Sequence, residues 1–159
     1  MNPPLVALAA FFVFGLAHVG TSREAVRAAD SIAAADPSVQ LDRDTLVAGD
    51  FNADGRPDFA MVGYKGEVLV LAIRASSAKD RAYRNDFQNF GIDPSIQAAI
   101  CEAPAKLSVG EQFCRPMDEP LSGCRESKIA RSLTLSGGDC DSINLFWNHQ
   151  THRMEWWRL

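Results

Sequence analysis

Three signatures of familiar catalysis are missing from this sequence. It contains no Gly-x-Ser-x-Gly elbow, no His-Glu-x-x-His pair and no glycine loop of the phosphate-cradling kind, so serine-hydrolase, zincin and P-loop chemistry have no starting point. A non-enzymatic protein is the expectation. Positive charge is also short: 16 Lys and Arg stand against 20 Asp and Glu, a net charge of -4, which leaves no general field to attract nucleic-acid phosphates or an anionic membrane surface. Nucleic acid is not an expected partner. The four cysteines include no Cys-x-x-Cys pair, which argues against a zinc ribbon or a thioredoxin-like redox site. The uncharged run from Leu5 to Ala17 falls short of the roughly 20 apolar residues that a membrane-spanning helix needs.

That run instead has the length of a secretory leader's apolar core. Gly15-Leu16-Ala17 places small residues where a signal peptidase reads them, although no Lys or Arg precedes the run. The expected organisation is a signal peptide over 1–17 and one exported domain over 18–159, located in the periplasm or secreted, with the membrane met only through the leader during export. Cys101, Cys114, Cys124 and Cys140 form an even set compatible with that compartment. Three pairings are possible, and the ease of closing short loops favours Cys101 with Cys114 and Cys124 with Cys140.

Thr21-Ser22-Arg23-Glu24 reads as a capping box, and Ala25, Ala28, Ala29, Ile32 and Ala33 follow at helical spacing. A helix is expected over 22–35, ended by Asp36-Pro37. Strands are expected at Thr45 to Gly49, Phe59 to Tyr64 and Glu67 to Arg74, with Lys65-Gly66 as a turn. Residues 75–128 read as mostly loop pinned by disulfides, with a short helix at Pro94 to Ile100. Strands return at Ile129 to Ser136, then in a terminal hairpin of Ser142 to Trp147 and Arg153 to Leu159. The predicted fold class is α+β, mainly an antiparallel β-sheet of hairpins with an N-terminal helix and one calcium-binding loop.

That loop is Asp50-Phe51-Asn52-Ala53-Asp54-Gly55-Arg56-Pro57-Asp58. Counted from Asp50, positions 1, 3 and 5 offer side-chain oxygens from Asp50, Asn52 and Asp54. Arg56 offers its carbonyl and Asp58 a further carboxylate. Such an all-oxygen set at alternate positions suits calcium, which takes about six to eight oxygen ligands, better than zinc. Gly55 permits the sharp turn. Position 12 is Met61 where a helix-loop-helix site needs a bidentate Glu, so an EF-hand is not expected. The competing explanation is that Asp, Asn and Gly gather because they favour turns.

The stretch Gly49 to Ala60 resembles the calcium loop of FG-GAP and VCBS repeats. That resemblance implies coordination through Asp50, Asn52, Asp54, the Arg56 carbonyl and Asp58. The loop occurs once, without the flanking Phe-Gly and Gly-Ala-Pro signatures of the full repeat, so no multi-blade propeller is expected. Together with the closing Leu-Phe-Trp-Asn-x-x-Thr-x-Arg-Met-x-x-Trp pattern, residues 46–74 and 143–158 are loosely similar to small exported bacterial proteins related to periplasmic lysozyme inhibitors and immunity proteins. The resemblance implies a calcium-binding protein that binds and inhibits another protein, such as a cell-wall hydrolase toxin. The alternatives are a structural or adhesive envelope component and a hydrolase using carboxylates. No catalytic residue is assigned.

In the terminal hairpin one member of each pair Phe146-Trp147 and Trp156-Trp157 is expected in the core. Trp147, Trp156 and Trp157 are the candidate partner-binding residues, flanked by Arg153 and Arg158, because exposed Trp and Arg are common at binding hot spots. His149 and His152 are expected as solvated turn residues, and Lys79 to Asp86 as a solvated segment of mixed charge.

Overall fold

The computed structural model describes residues 23–77 and 79–159. The leader expected at 1–17 and the capping residues Thr21 and Ser22 lie outside the described residues. Helix α1 (Arg23–Ala35) buries Ala25, Ala28, Ala29 and Ile32, one stripe at the helical repeat. It stops at the expected Asp36-Pro37, where Asp36 closes a turn by accepting from the backbone N–H and hydroxyl of Ser38. Among the described residues no helix is long and apolar enough to cross a membrane.

Among the described residues ten strands follow: β1 (Gln40–Leu41), β2 (Val47–Gly49), β3 (Asp58–Lys65), β4 (Val68–Ser76), β5 (Tyr83–Ile92), β6 (Ala99–Ile100), β7 (Lys106–Glu111), β8 (Arg131–Ser136), β9 (Ile143–Asn148) and β10 (Arg153–Trp157). The first sheet runs β1-β3-β4-β5-β6, with β2 also paired to β3, and the second runs β10-β9-β8-β7. All pairs are antiparallel except the short β5–β6 pair. The chain is therefore α+β with antiparallel sheets.

The layers follow from the two-residue repeat of the strands. On β3 and β4, Ala60, Val62, Leu69, Leu71, Ile73 and Ala75 join the core shared with Leu133, Leu135, Leu145, Trp147 and Met154 of the second sheet. The opposite face of the first sheet presents Phe59, Met61 and Ala72 to α1. Gly63 lies where β3 passes β1 closely: a Cβ there would stand 2.7 Å from the Gln40 carbonyl oxygen.

Three expectations are corrected. The region 75–128 is not mostly loop, because it holds β5, β6 and β7. No helix forms over Pro94 to Ile100: Asp93 closes a turn onto Ser95, and Ala99 and Ile100 pair with Gly91 and Ile92. The cysteines pair as Cys101–Cys140 and Cys114–Cys124, with Cα separations of 5.7 and 5.5 Å. The register Lys106↔Ser136 lays the two ends of the β7–β8 hairpin side by side, and Cys101 N–H donates to the Gly137 carbonyl at 3.0 Å, so Cys101 and Cys140 meet despite 39 residues of separation.

Candidate calcium loop and inter-sheet cleft

The Asp50 to Asp58 segment joins β2 to β3 and is fastened at three points. Phe51 turns its ring into the core, fully buried. The Asp50 carbonyl accepts the Arg131 N–H at 2.8 Å, which ties the loop to the second sheet. Arg56 points away from the acids: its guanidinium donates to the Arg81 carbonyl at 2.8 Å and lies 4.7 Å from the centre of the Tyr83 ring, with Arg74 also 4.7 Å from that centre. Tyr83 also donates to the Pro57 carbonyl at 3.0 Å. The loop backbone turns through left-handed geometry at Ala53 and Gly55, with φ of 60° and 82°.

The side chains of Asp50, Asn52, Asp54 and Asp58 turn inward. The Asp54 N–H is shared between Asp50 Oδ1 at 3.0 Å and Asn52 Oδ1 at 2.9 Å, while Gly55 N–H donates to Asp50 Oδ2 and Arg56 N–H to Asp54 Oδ1. Asn52 Nδ2 donates to the Ser76 carbonyl at 2.6 Å. Asp58 is fully buried and accepts Phe51 N–H at 2.9 Å, Ser76 N–H at 2.8 Å and the Ser76 hydroxyl. Burial pushes the Asp58 carboxyl up to about 6, helped by the charge of Asp54 and opposed by the hydrogen bonds from Ser76 and Phe51.

Ser76, like Tyr83, is a residue of the site that sequence reasoning missed. Its Oγ lies 2.7 Å from Asp54 Oδ2 and 3.1 Å from Asp58 Oδ1. A hydroxyl carries one proton, so it donates to one carboxylate while the other faces its lone pairs. Ser76 sits at the end of an apolar strand, 18 residues from Asp58, and no local spacing pointed to it.

The donor chemistry of the loop matches a hard cation: three carboxylates, an amide and a carbonyl, with no Lys or Arg in an ion pair to Asp50, Asp54 or Asp58 among the described residues. The convergence is incomplete, since among the described residues no three His, Cys, Asp or Glu side chains are grouped closely enough to hold a metal ion together. Instead Asp54 and Asp58 share the Ser76 hydroxyl, and Asp50 and Asn52 share the Asp54 N–H.

Beside the loop the two sheets part around a cleft of about 640 Å³. Ile73, Ala75, Trp147 and Met154 form its apolar walls, and Asn52, Asp54 and Ser76 reach it from the loop. His149 and His152 line it too; His152 is exposed in the turn as expected, while His149 is partly buried. Burial holds His149 below the usual histidine value, with the charge of Arg125 and the neighbouring His152 acting the same way.

The tryptophans divide differently from expectation. Phe146 and Trp147 are both buried, because the face opposite the core is covered by the segment closed by Cys114–Cys124. Asn148 on that face donates to the Ser122 carbonyl, and His149 N–H donates to the Gly123 carbonyl. Trp147 is therefore a core and cleft residue with no outward face for a partner. Trp156 is 39% exposed and meets Phe90 edge-on, while Trp157 is half-buried. Arg158 is engaged with the carbonyls of Ile96, Gln97 and Ala99, and Arg153 pairs with Asp86 at 3.6 Å.

No family model, curated protein or solved structure matches this chain. The likeness to FG-GAP and VCBS loops therefore rests on the dozen residues around Asp54.

Proposed function

We propose that the Asp50 to Asp58 loop holds one calcium ion and that the protein is an exported, non-enzymatic binding protein stiffened by that ion and by its two disulfides. The observation that carries this reading is Ser76 Oγ set between Asp54 and Asp58 with a single proton to share. Two carboxylates at one hydroxyl need further positive charge, and a cation seated among Asp50, Asn52, Asp54, the Arg56 carbonyl and Asp58 supplies it. Both oxygens of Asp50, Asn52 Oδ1, Asp54 Oδ1 and Asp58 Oδ2 each accept one backbone N–H and keep a second lone pair for a metal, as does Asp54 Oδ2 beside the Ser76 hydroxyl. Each loop acid is held by hydrogen bonds to its own fold, which favours a structural ion over a catalytic one. The disulfides fit an oxidising compartment, the periplasm or the exterior.

The function proposed for this scaffold is to bind and inhibit another protein, with a lysozyme-like cell-wall hydrolase as the target class that the sequence resemblance points to. Thermal unfolding with calcium and with chelator tests the ion. At a calcium concentration about 100 times Kd the folded state gains roughly 2.7 kcal/mol. For a domain near 150 residues that raises the midpoint by about 5 to 10 °C. Asp54→Ala is expected to abolish the rise. An equal midpoint in calcium and chelator contradicts the site. The inhibitory role is tested separately, by capture from a periplasmic or secreted extract and by a muramidase assay, where no partner and no inhibition count against it.

A further inference from the structure

The inner face of β5 is the anomaly of this fold. Its pairing with β4 sets Ala75 beside Arg84, Ile73 beside Asp86 and Leu71 beside Gln88, so positions that face the second sheet carry charged or polar residues beside buried apolar ones. Polar residues at such positions are costly in a packed core and persist where they serve a site. Here Arg84 and Asp86 border open space, and Gln88 donates to the Met154 carbonyl. The cleft of about 640 Å³ lies within the size of ordinary ligand pockets, roughly 300 to 1,000 Å³.

We infer that this cleft binds an amphipathic anion, a small molecule with an apolar body and one carboxylate or similar head group. Ile73, Ala75, Trp147 and Met154 receive the body, while Lys79 and Arg84 at the mouth receive the head. Two acids also line the cleft: Asp86, paired with Arg153 and hydrogen-bonded by Gln88, and Asp54, hydrogen-bonded by the Ser76 hydroxyl and the Arg56 N–H. Arg84 is held only by the exposed Asp80, and Lys79 has no carboxylate partner among the described residues, so the mouth presents positive charge. The inference does not rest on the calcium reading, although Asn52, Asp54 and Ser76 border the same cleft: the apolar walls come from β4, β9 and β10 and the head group is held by side chains outside the loop.

The experiment is calorimetric titration of the purified, disulfide-bonded protein with decanoate and with decyltrimethylammonium, each below its micelle concentration. Decanoate is expected to bind one per chain and at least tenfold more tightly than the cationic amphiphile. Lys79→Glu combined with Arg84→Glu is expected to weaken decanoate by tenfold or more with at most a small fall in the unfolding midpoint, since both are exposed rim residues and the Arg84–Asp80 pair is solvated. Ala75→Trp fills the apolar wall and is expected to abolish binding of both amphiphiles. Equal affinity for the two, absence of binding, or decanoate affinity unchanged by the charge reversals overturns the inference. The rim variants keep that decision open to experiment even where Ala75→Trp disturbs folding.

Discussion

Replacing Asp58 by Ala in the absence of calcium separates the structural work of this residue from any work it does for an ion. Its carboxylate is the acceptor for two buried backbone N–H groups, Phe51 and Ser76, and for the Ser76 hydroxyl. Asp58→Ala orphans both N–H groups, and each buried donor left without a partner costs about 1 to 3 kcal/mol. Removing a buried charge next to Asp54 returns part of that, so the net loss should be roughly 2 to 4 kcal/mol. At about 2 to 4 °C per kcal/mol, the unfolding midpoint in chelator should fall by roughly 5 to 15 °C. Asp50→Ala is the control. It also removes the acceptor for two N–H groups, those of Asp54 and Gly55, but Asp50 is half-buried and Gly55 is exposed, so water can replace the lost oxygen. Its loss should stay below about 1 kcal/mol. Circular dichroism melts of the three proteins in chelator measure both. Equal falls for the two variants, or a fall under about 2 °C for Asp58→Ala, would refute the view of Asp58 as the buried hub of the loop.

Peptide mapping of the non-reduced protein should recover Cys101 with Cys140 and Cys114 with Cys124; by loop closure the first pair should contribute about 4 kcal/mol and the second about 3 kcal/mol, measurable as denaturation midpoints of the paired Cys→Ser variants. Gly63→Ala should cost about 1 to 3 kcal/mol by chemical denaturation, because the new methyl meets the backbone of β1 at Gln40 and Leu41; an unchanged midpoint would show that β1 is free to move. Asp30→Asn removes a pair with Arg43 whose side chains are 60% and 54% exposed, and should change stability by less than about 1 kcal/mol at moderate salt.

What could be read from the sequence depended on where apolar residues were continuous. Helix α1, β3, β4 and the terminal hairpin carry a clear apolar repeat, and their bounds lie within a few residues of expectation. Strand β5 hid because its two phenylalanines, Phe87 and Phe90, are three residues apart and fall on opposite faces, one against α1 and the other in the inter-sheet core. Its inner positions Arg84 and Asp86 face the cleft and Gln88 bonds to the Met154 carbonyl, so no apolar alternation marks that stretch. The disulfides were misjudged for another reason: local loop closure ignores strand register, and the β7–β8 hairpin brings distant cysteines together at no further entropic cost once it has formed. Within the candidate site, Asp50, Asn52, Asp54 and Asp58 were legible because they share one short loop. Ser76 and Tyr83 were not, since they reach the loop from neighbouring strands.

Calorimetric titration of the disulfide-bonded protein with calcium, alongside Asp54→Ala, decides whether the loop holds an ion. One ion per chain is expected for the natural sequence and none for Asp54→Ala at the same concentrations. No binding up to millimolar calcium, or binding that Asp54→Ala leaves intact, would contradict the site and leave the loop as a hydrogen-bonded turn.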